Sequence, residues 1–265
     1  MIGFIGGGNM AEALIKGAVN SQQSAGRYYF ISEPREDRRK YLEETYGIKT
    51  TLSNKEVADA CNIIILAVKP QNMAGVLDEI SSEITDEKTV VSIAAGITLS
   101  YLQSRLNTKK LVRVMPNTPA LVLEGMSVIS LCEGFSDSDI ATVREIFMSV
   151  GRVTIMPEKH MNAVTAVSGS GPAFIALFIE GMIEAGLKLG LSKIHSEELA
   201  VQTLLGTARL LDSGMPAHKL REMVTSPGGT TAAGLAVFEE RNLMPIVLDA
   251  LTAARNRAAE LGKKE

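Results

Sequence analysis

What the sequence has little of narrows it first. There is no tryptophan, and aromatic residues make up 5% of the 265 positions. Charge of neither sign dominates: 27 Lys and Arg face 30 Asp and Glu, a formal net charge of −3. The balance holds along the chain, with 16 basic against 18 acidic residues in 1–155 and 11 against 12 in 156–265. A nucleic-acid partner needs a basic face and, for single strands, aromatic stacking platforms, so none is expected. Only two cysteines occur, Cys61 and Cys132, each beside a hydrophobic run and in no CxxC pair. They read as two buried thiols in a reducing compartment, not as a disulfide framework. Apolar runs such as residues 63–68 are far shorter than the ~20 residues that cross a bilayer, so no membrane partner is expected. With no secretory leader pattern before the first strand, the expected location is cytoplasmic. His160, His195 and His218 sit among charged or polar residues at helix ends, and no HExxH or clustered Cys/His/Asp set suggests a metal.

What is present is 46% apolar residues and 23 glycines, in a chain long enough for one large or two ordinary domains. The first half alternates strand and helix patterns. Residues 2–5 (IGFI) read as a short strand ending in Gly6-Gly7-Gly8, with a helix over 10–19. Residues 28–31 predict a second strand and 35–46 a charged helix. The segment 62–68 (NIIILAV) is apolar throughout, as a central strand covered on both faces requires. Two further strands are predicted at 89–93 and 111–115, with a helix near 99–106. The expectation is an α/β chain whose N-terminal part is a Rossmann-type, doubly wound, mostly parallel sheet.

Beyond Pro157 no strand is evident, and long helical stretches are punctuated by Gly-Pro and Gly-Gly breaks. The expected division is a dinucleotide-binding domain at 1–155 and an all-helical domain at 156–265. Phe174, Ile175, Leu177, Phe178, Met182 and Ile183 cover more than one helical stripe, and so do Val201, Leu204, Leu205, Leu210 and Leu211. A helix apolar on every face needs burial on every face. About 110 residues can hardly surround several such helices, so an interface between copies of the chain is expected here, the alternative being one central buried helix in a monomer. The tail at 262–265 is expected to fray.

Gly6-Gly7-Gly8-Asn9-Met10-Ala11 reads as GxGxxA between a strand and a helix. In that context Gly6 permits the tight turn, Gly8 lets backbone approach a pyrophosphate, and Ala11 allows close packing of helix on strand. The pyrophosphate would lie over the free N–H groups that open the helix, Asn9 and Met10 included. Glu33 stands 22 residues beyond Ala11, where an acidic side chain binds the adenosine ribose and repels a 2′-phosphate. Ser32 and Arg35, with Arg38 and Arg39 one turn on, offer the opposite: donors for that phosphate. The choice between NADH and NADPH is left open. Val68-Lys69-Pro70 ends the central strand on the rim where ligands bind in such sheets. It joins the candidate cofactor residues, although Lys69 also fits a plain surface charge.

With the cofactor loop placed, the chain resembles the pyrroline-5-carboxylate reductase family over essentially its whole length. The resemblance is carried by GFIGGGNMAEALIKG at 3–17, AVKPQ at 67–71, SIAAGI at 92–97 and VRVMPNTPALV at 112–122. The second half adds AVTAVSGSGPAF at 163–174 and VTSPGGTTAAGL at 224–235. It implies reduction of the C=N bond of 1-pyrroline-5-carboxylate to L-proline by NADPH or NADH, the last step of proline synthesis. It also implies dimerisation through the C-terminal helices, sometimes extended to a ring, and an active site between the cofactor domain and those helices. The matching segments Ala95-Gly96 and Met115-Pro116-Asn117 would then lie near the nicotinamide end.

Imine reduction needs a hydride donor held face-on, a grip on the substrate carboxylate and a proton for the ring nitrogen. Ser226, Gly228, Gly229, Thr230 and Thr231 are the candidate carboxylate site. A Pro-Gly-Gly turn before a helix exposes unpaired N–H groups, and a plain turn with Thr230 or Thr231 capping the helix can coexist with that role. By analogy with the family, the Thr231 hydroxyl would orient or deliver the proton. Two rivals share parts of this plan. A β-hydroxyacid-type dehydrogenase needs a general base, typically a Lys soon after a GSxG loop, yet no ionisable side chain follows Gly171 until Glu180. A non-catalytic NAD(P)-binding regulator should have broken SPGGTT or MPNT segments, and both are intact.

Overall fold

The computed structural model describes residues 1–20, 28–132, 134–135 and 137–262, so most of the tail expected to fray lies outside the described residues. Contacts divide the chain into two compact units, Met1–Ser170 with Ala253–Glu265, and Gly171–Thr252.

The first unit is built on an eight-stranded sheet. Its strands are β1 (Ile2–Ile5), β2 (Tyr29–Ser32), β3 (Lys49–Thr51), β4 (Ile63–Leu66), β5 (Thr89–Ser92), β6 (Leu111–Met115), β7 (Gly125–Leu131) and β8 (Gly151–Ile155). They lie in the order β3-β2-β1-β4-β5-β6-β7-β8. Among the described residues every pairing is parallel except β6 with β7. Between them run α1 (Asn9–Asn20), α2 (Glu36–Tyr46), α3 (Asn54–Ala60), α4 (Met73–Ile80), α5 (Leu99–Arg105) and α6 (Asp137–Met148). The strand order reverses between β1 and β4, which is where an open sheet of this kind leaves a crevice at its carboxyl edge.

Period-two alternation explains how the sheet feeds two cores. Phe4, Ile31, Ile65 and Val91 pack with Leu14 and Ile15 of α1. Their neighbours Ile5, Phe30, Ile64 and Val90 pack on the other side with Val57, Leu77 and Leu102. Both faces are covered, so the central strands read as unbroken apolar runs. Local signals set several boundaries. Ser53 accepts the Glu56 N–H to cap α3, and Thr98 accepts the Tyr101 N–H to cap α5. Gly47, at φ 64°, closes α2.

The buried Arg113 of β6 pairs with Glu158 at 3.0 Å, and the same carboxylate oxygen accepts the Leu99 N–H at 2.8 Å. Met161 and Val164, in the short helix α7 (Met161–Val164), form a third small core with Val128 of β7. Residues 157–170 therefore belong by contact to the sheet unit. Of the two cysteines, Cys61 is buried as expected, and burial pushes its thiol up to about 11. Cys132 is only half-buried and accepts a hydrogen bond from Gln103 Nε2, a correction to the reading of two buried thiols.

The second unit holds α8 (Gly171–Lys188), α9 (Lys193–Asp212), α10 (Ala217–Met223), α11 (Thr230–Glu240) and the beginning of α12 (Leu243–Leu261), which ends in the first unit. Gly186 lets α8 approach Ser196 of α9, where an added Cβ would come within 2.7 Å of the hydroxyl. The all-round apolar helices are exposed within the single chain: no residue of α8 or α11 is buried. The helical stretch Glu158–Lys188 is long and apolar enough, by length and composition alone, to cross a membrane. That corrects the expectation that no apolar stretch reaches such a length. Only 6% of its apolar window is buried, which a helix awaiting another protein surface also satisfies.

Two glycines test these packing arguments in opposite directions. Gly151 has φ +147°, and a Cβ there would overlap the backbone of Gly125 on the paired strand. Gly151→Ala is expected to cost about 2 kcal/mol or more. Gly75, exposed inside α4 with nothing within 4 Å of an added Cβ, is the control. Gly75→Ala should gain up to about 1 kcal/mol, and urea unfolding midpoints of the two variants check both signs.

Candidate active site

The parallel register aligns the carboxyl ends of β1, β2, β4, β5 and β6 along one edge of the sheet. Ser32 and Met115 are the last residues of β2 and β6, and Gly6 to Gly8, Glu33, Val68 to Pro70, Ala95 with Gly96, and Pro116 with Asn117 follow the strand ends. The cofactor residues read from sequence are thus brought to a common rim, in the part of the fold where open α/β sheets bind ligands.

Hydrogen bonds hold the glycine loop. The Gly6 N–H donates to the Ser32 carbonyl at 2.8 Å, and the Gly7 N–H donates to Glu33 Oε2 at 2.9 Å. Gly6 sits at φ +97°, and a Cβ on it would meet the Ala67 carbonyl oxygen at 2.8 Å and Val68 Cγ1 at 3.2 Å. The loop is therefore pressed against the chain leaving β4, directly at the reversal of strand order. Gly8 differs. A Cβ there meets nothing within 4 Å, so the space before it is open. Ala11 is fully buried under the helix, as its small size suggested. An open cradle in front of amides at the start of α1 fits a pyrophosphate, and Asn9 and Met10 open that helix.

Around the loop the charged groups are already engaged. Glu33 is 6% exposed, and its Oε1 accepts both the backbone N–H and the Nε–H of Arg35 at 3.1 Å. Arg38 Nε donates to the Gly7 carbonyl at 2.7 Å, and its guanidinium bridges to Glu12. Burial alone would raise the Glu12 carboxyl, but hydrogen bonds from Arg38, Tyr46 and Tyr41 hold it below its usual range. Arg39 donates to the carbonyls of Glu33 and Pro34. The Ser32 hydroxyl donates to Asn54 Oδ1 at 2.6 Å, and Asn54 donates in turn to Glu79. Asn54 escaped the sequence reading, since nothing local in Ser53-Asn54 points across 22 residues to Ser32.

Farther along the rim, Lys69 is exposed and precedes a 3-10 turn at Pro70–Asn72. Gly96 has φ +85°, and a Cβ there would press on Leu261 at 3.0 Å, so this glycine has a packing reason of its own. Pro116 is buried and Met115 half-buried. Asn117 accepts the Met126 N–H at 2.8 Å and donates to the Ser168 hydroxyl at 3.2 Å, while a Cβ on Gly169 would overlap Met115 Cε. The MPNT and SGSG motifs therefore touch. One π-helical turn, Thr165–Gly169, shapes the second of them, and such turns recur at functional sites.

In the second unit, Ser226 to Thr231 forms the turn into α11. The Ser226 carbonyl accepts the Gly229 N–H at 3.0 Å, and Gly228 adopts φ +67°. Gly229 is the N-cap, with no side-chain cap. The alternative in which Thr230 or Thr231 caps the helix is thereby corrected. The first intrahelical acceptor pairing is Ala233 N–H to the Gly229 carbonyl, so the amides of residues 230–232 face outward from the helix start. Thr231 is half-buried, whereas Ser226, Gly228 and Thr230 are exposed.

A family model described as pyrroline-5-carboxylate reductase dimerisation matches residues 158–261. A second, described as NADP oxidoreductase coenzyme F420-dependent, matches residues 1–96. A pyrroline-5-carboxylate reductase of Synechocystis is 39% identical over 99% of this chain and 98% of its own. The chain belongs to the pyrroline-5-carboxylate reductase family. Among solved structures, the family's enzyme from Coxiella burnetii is 36% identical, with a TM-score of 0.90 over 98% of this chain and 97% of that one. The Plasmodium falciparum pyrroline carboxylate reductase, solved with NADP bound, is 34% identical with a TM-score of 0.89, over 98% and 97% of the two chains.

Within this reductase fold the two loop glycines should behave differently. Gly6→Ala introduces strain and a carbonyl clash, so it should lower the thermal unfolding midpoint. Gly8→Ala should leave that midpoint unchanged yet weaken dinucleotide binding about tenfold or more by filling the open cradle. Paired thermal melts and cofactor titrations check both.

Proposed function

We propose that this chain reduces 1-pyrroline-5-carboxylate to L-proline with a reduced nicotinamide dinucleotide, in the cytoplasm, as the last step of proline synthesis. Full-length membership of the reductase family carries this reading. The open Gly8 cradle at the point where strand order reverses supports it.

Residues 1–155 act as the dinucleotide-binding part. Gly6, Gly8, Asn9, Met10 and Ala11 hold the pyrophosphate against the start of α1, with Ser32, Glu33 and Arg35 toward the adenosine ribose. Val68, Lys69, Pro70, Ala95, Gly96, Met115, Pro116 and Asn117 line the edge toward the nicotinamide. When bound, the reduced nicotinamide supplies the hydride that adds to the imine carbon. Residues 156–265 bind substrate and join the subunits.

The substrate carboxylate is anionic, and the Ser226–Thr231 turn offers it outward amides at the positive end of the α11 dipole. The Thr231 hydroxyl, free of a capping role, orients the ring nitrogen or relays to it a solvent proton, regaining one from water, and that proton balances the hydride. No base is required, because the substrate nitrogen gains a proton. This favours imine reduction over alcohol oxidation: the α8 sequence after Gly171 carries no ionisable group before Glu180. A cofactor-binding regulator without chemistry has no comparable support.

Homo-oligomerisation, as a dimer or a ring of dimers, completes the helices. The second unit carries an apolar cavity of about 610 Å³ lined by Phe174, Phe178, Met182, Phe238, Ile246 and Val247. Phe178 and Phe238 are 48% and 42% exposed in the single chain, an apolar surface that a second copy would cover.

Three measurements test the proposal. Loss of reduced-nicotinamide absorbance with purified protein and 1-pyrroline-5-carboxylate is expected with at least one of NADH and NADPH, and its absence with both would sink the assignment. Thr231→Val should lower kcat by about 10²-fold while leaving cofactor affinity unchanged, and an unchanged kcat would remove the proton role alone. In sedimentation, the wild type should run as two or more chains, and Phe178→Asp should shift it toward monomer.

A further inference from the structure

The geometry around Glu33 assigns this chain a preference for NADH over NADPH. The inference rests on the reading that the glycine loop holds the dinucleotide, and it settles what that reading leaves open. Glu33 follows β2 directly, and the Gly7 amide fastens its carboxylate to the glycine loop at 2.9 Å. In a dinucleotide bound across such a loop, this is the position of the adenosine ribose. A carboxylate has about four acceptor sites. Gly7 takes one on Oε2 and Arg35 takes two on Oε1, which leaves Oε2 able to accept a ribose hydroxyl.

A 2′-phosphate has no donor to offer and carries close to two negative charges at neutral pH. It would meet a carboxylate that is 6% exposed and cannot swing away without stranding the Gly7 N–H. The groups that would compensate are committed elsewhere. The Ser32 hydroxyl is given to Asn54, Arg38 to Gly7 and Glu12, and Arg39 to two carbonyls of its own turn. Arg35 is the most exposed of the arginines, but it is paired with the same carboxylate and neutralises it only in part.

The test is a calorimetric titration of the purified chain without substrate. The probes are NADH, NADPH, ADP-ribose and 2′-phospho-ADP-ribose. The expected result is binding of the unphosphorylated member of each pair at least ~10-fold tighter. Glu33→Gln keeps a carbonyl oxygen for the Gly7 N–H but removes the charge, and should narrow both ratios about tenfold at an unchanged thermal midpoint. Raising the salt concentration should narrow the wild-type ratios without any substitution, so a variant that fails to fold does not spare the inference. Equal or tighter binding of the phosphorylated members by the wild type overturns it, and so do ratios that Glu33→Gln leaves unmoved. Binding in the expected ratio without turnover of the imine upholds the inference and overturns the proposed reaction. Binding of none of the four overturns both.

Discussion

The bond from the Gly7 amide to the buried Glu33 carboxylate is the constraint on which the cofactor end of the molecule turns. A carboxylate is left with so little solvent only where its oxygens are occupied. Here a loop amide and Arg35 occupy them. Together with the Gly6 amide on the Ser32 carbonyl, this bond staples the β1–α1 turn to the end of β2. On its other flank the turn rests against Ala67, because Gly6 has no side chain to hold it off. The start of α1 is thereby aimed across the carboxyl edge of the sheet, and the sign of the charge beside it belongs to the fold itself.

Glycine serves three separate physical ends in this chain. At Gly6, Gly96 and Gly228 the backbone needs a left-handed conformation. At Gly3 the missing side chain lets α3 pack close to β1, where a Cβ would lie 2.5 Å from Val57. At Gly8 neither reason applies, and the open space points to a ligand. The helical half shows the complementary imbalance: apolar residues with too little of their own chain to cover them. A buried core and a subunit interface use the same side chains, so composition alone cannot separate them.

The elements easiest to read were those whose pattern and boundary signals agree. The strand at 111–115 is placed to the residue, and β1 is given by its apolar run and the glycines that end it. Strands β3, β7 and β8 carry no prediction. β3 is a three-residue edge strand with no buried position, and β8 likewise has half-exposed residues and no clear alternation. β7 is interrupted by serines at 127 and 130, both buried, which breaks the apolar pattern a buried strand normally shows. Among the site residues, the glycine loop was legible because its chemistry is contained in six consecutive positions. The ties of Ser32 to Asn54, of Arg38 to Gly7 and of Asn117 to Ser168 were not, since each joins residues 22 to 51 positions apart.

The sequence by itself determined the kind of fold, the family and the places where ligand meets backbone. Those depend on local properties: hydrophobic period, turn chemistry, and motifs whose atoms are neighbours along the chain. Only the tertiary structure decided what each charged group near the loop is free to do. From the sequence, Glu33 and its surrounding arginines argue for either cofactor with equal force. In the fold the arginines are spent on carbonyls and carboxylates, and the carboxylate is pinned beside the loop. Hydrogen-bond partners are a property of packing in three dimensions, and residue order alone does not choose them.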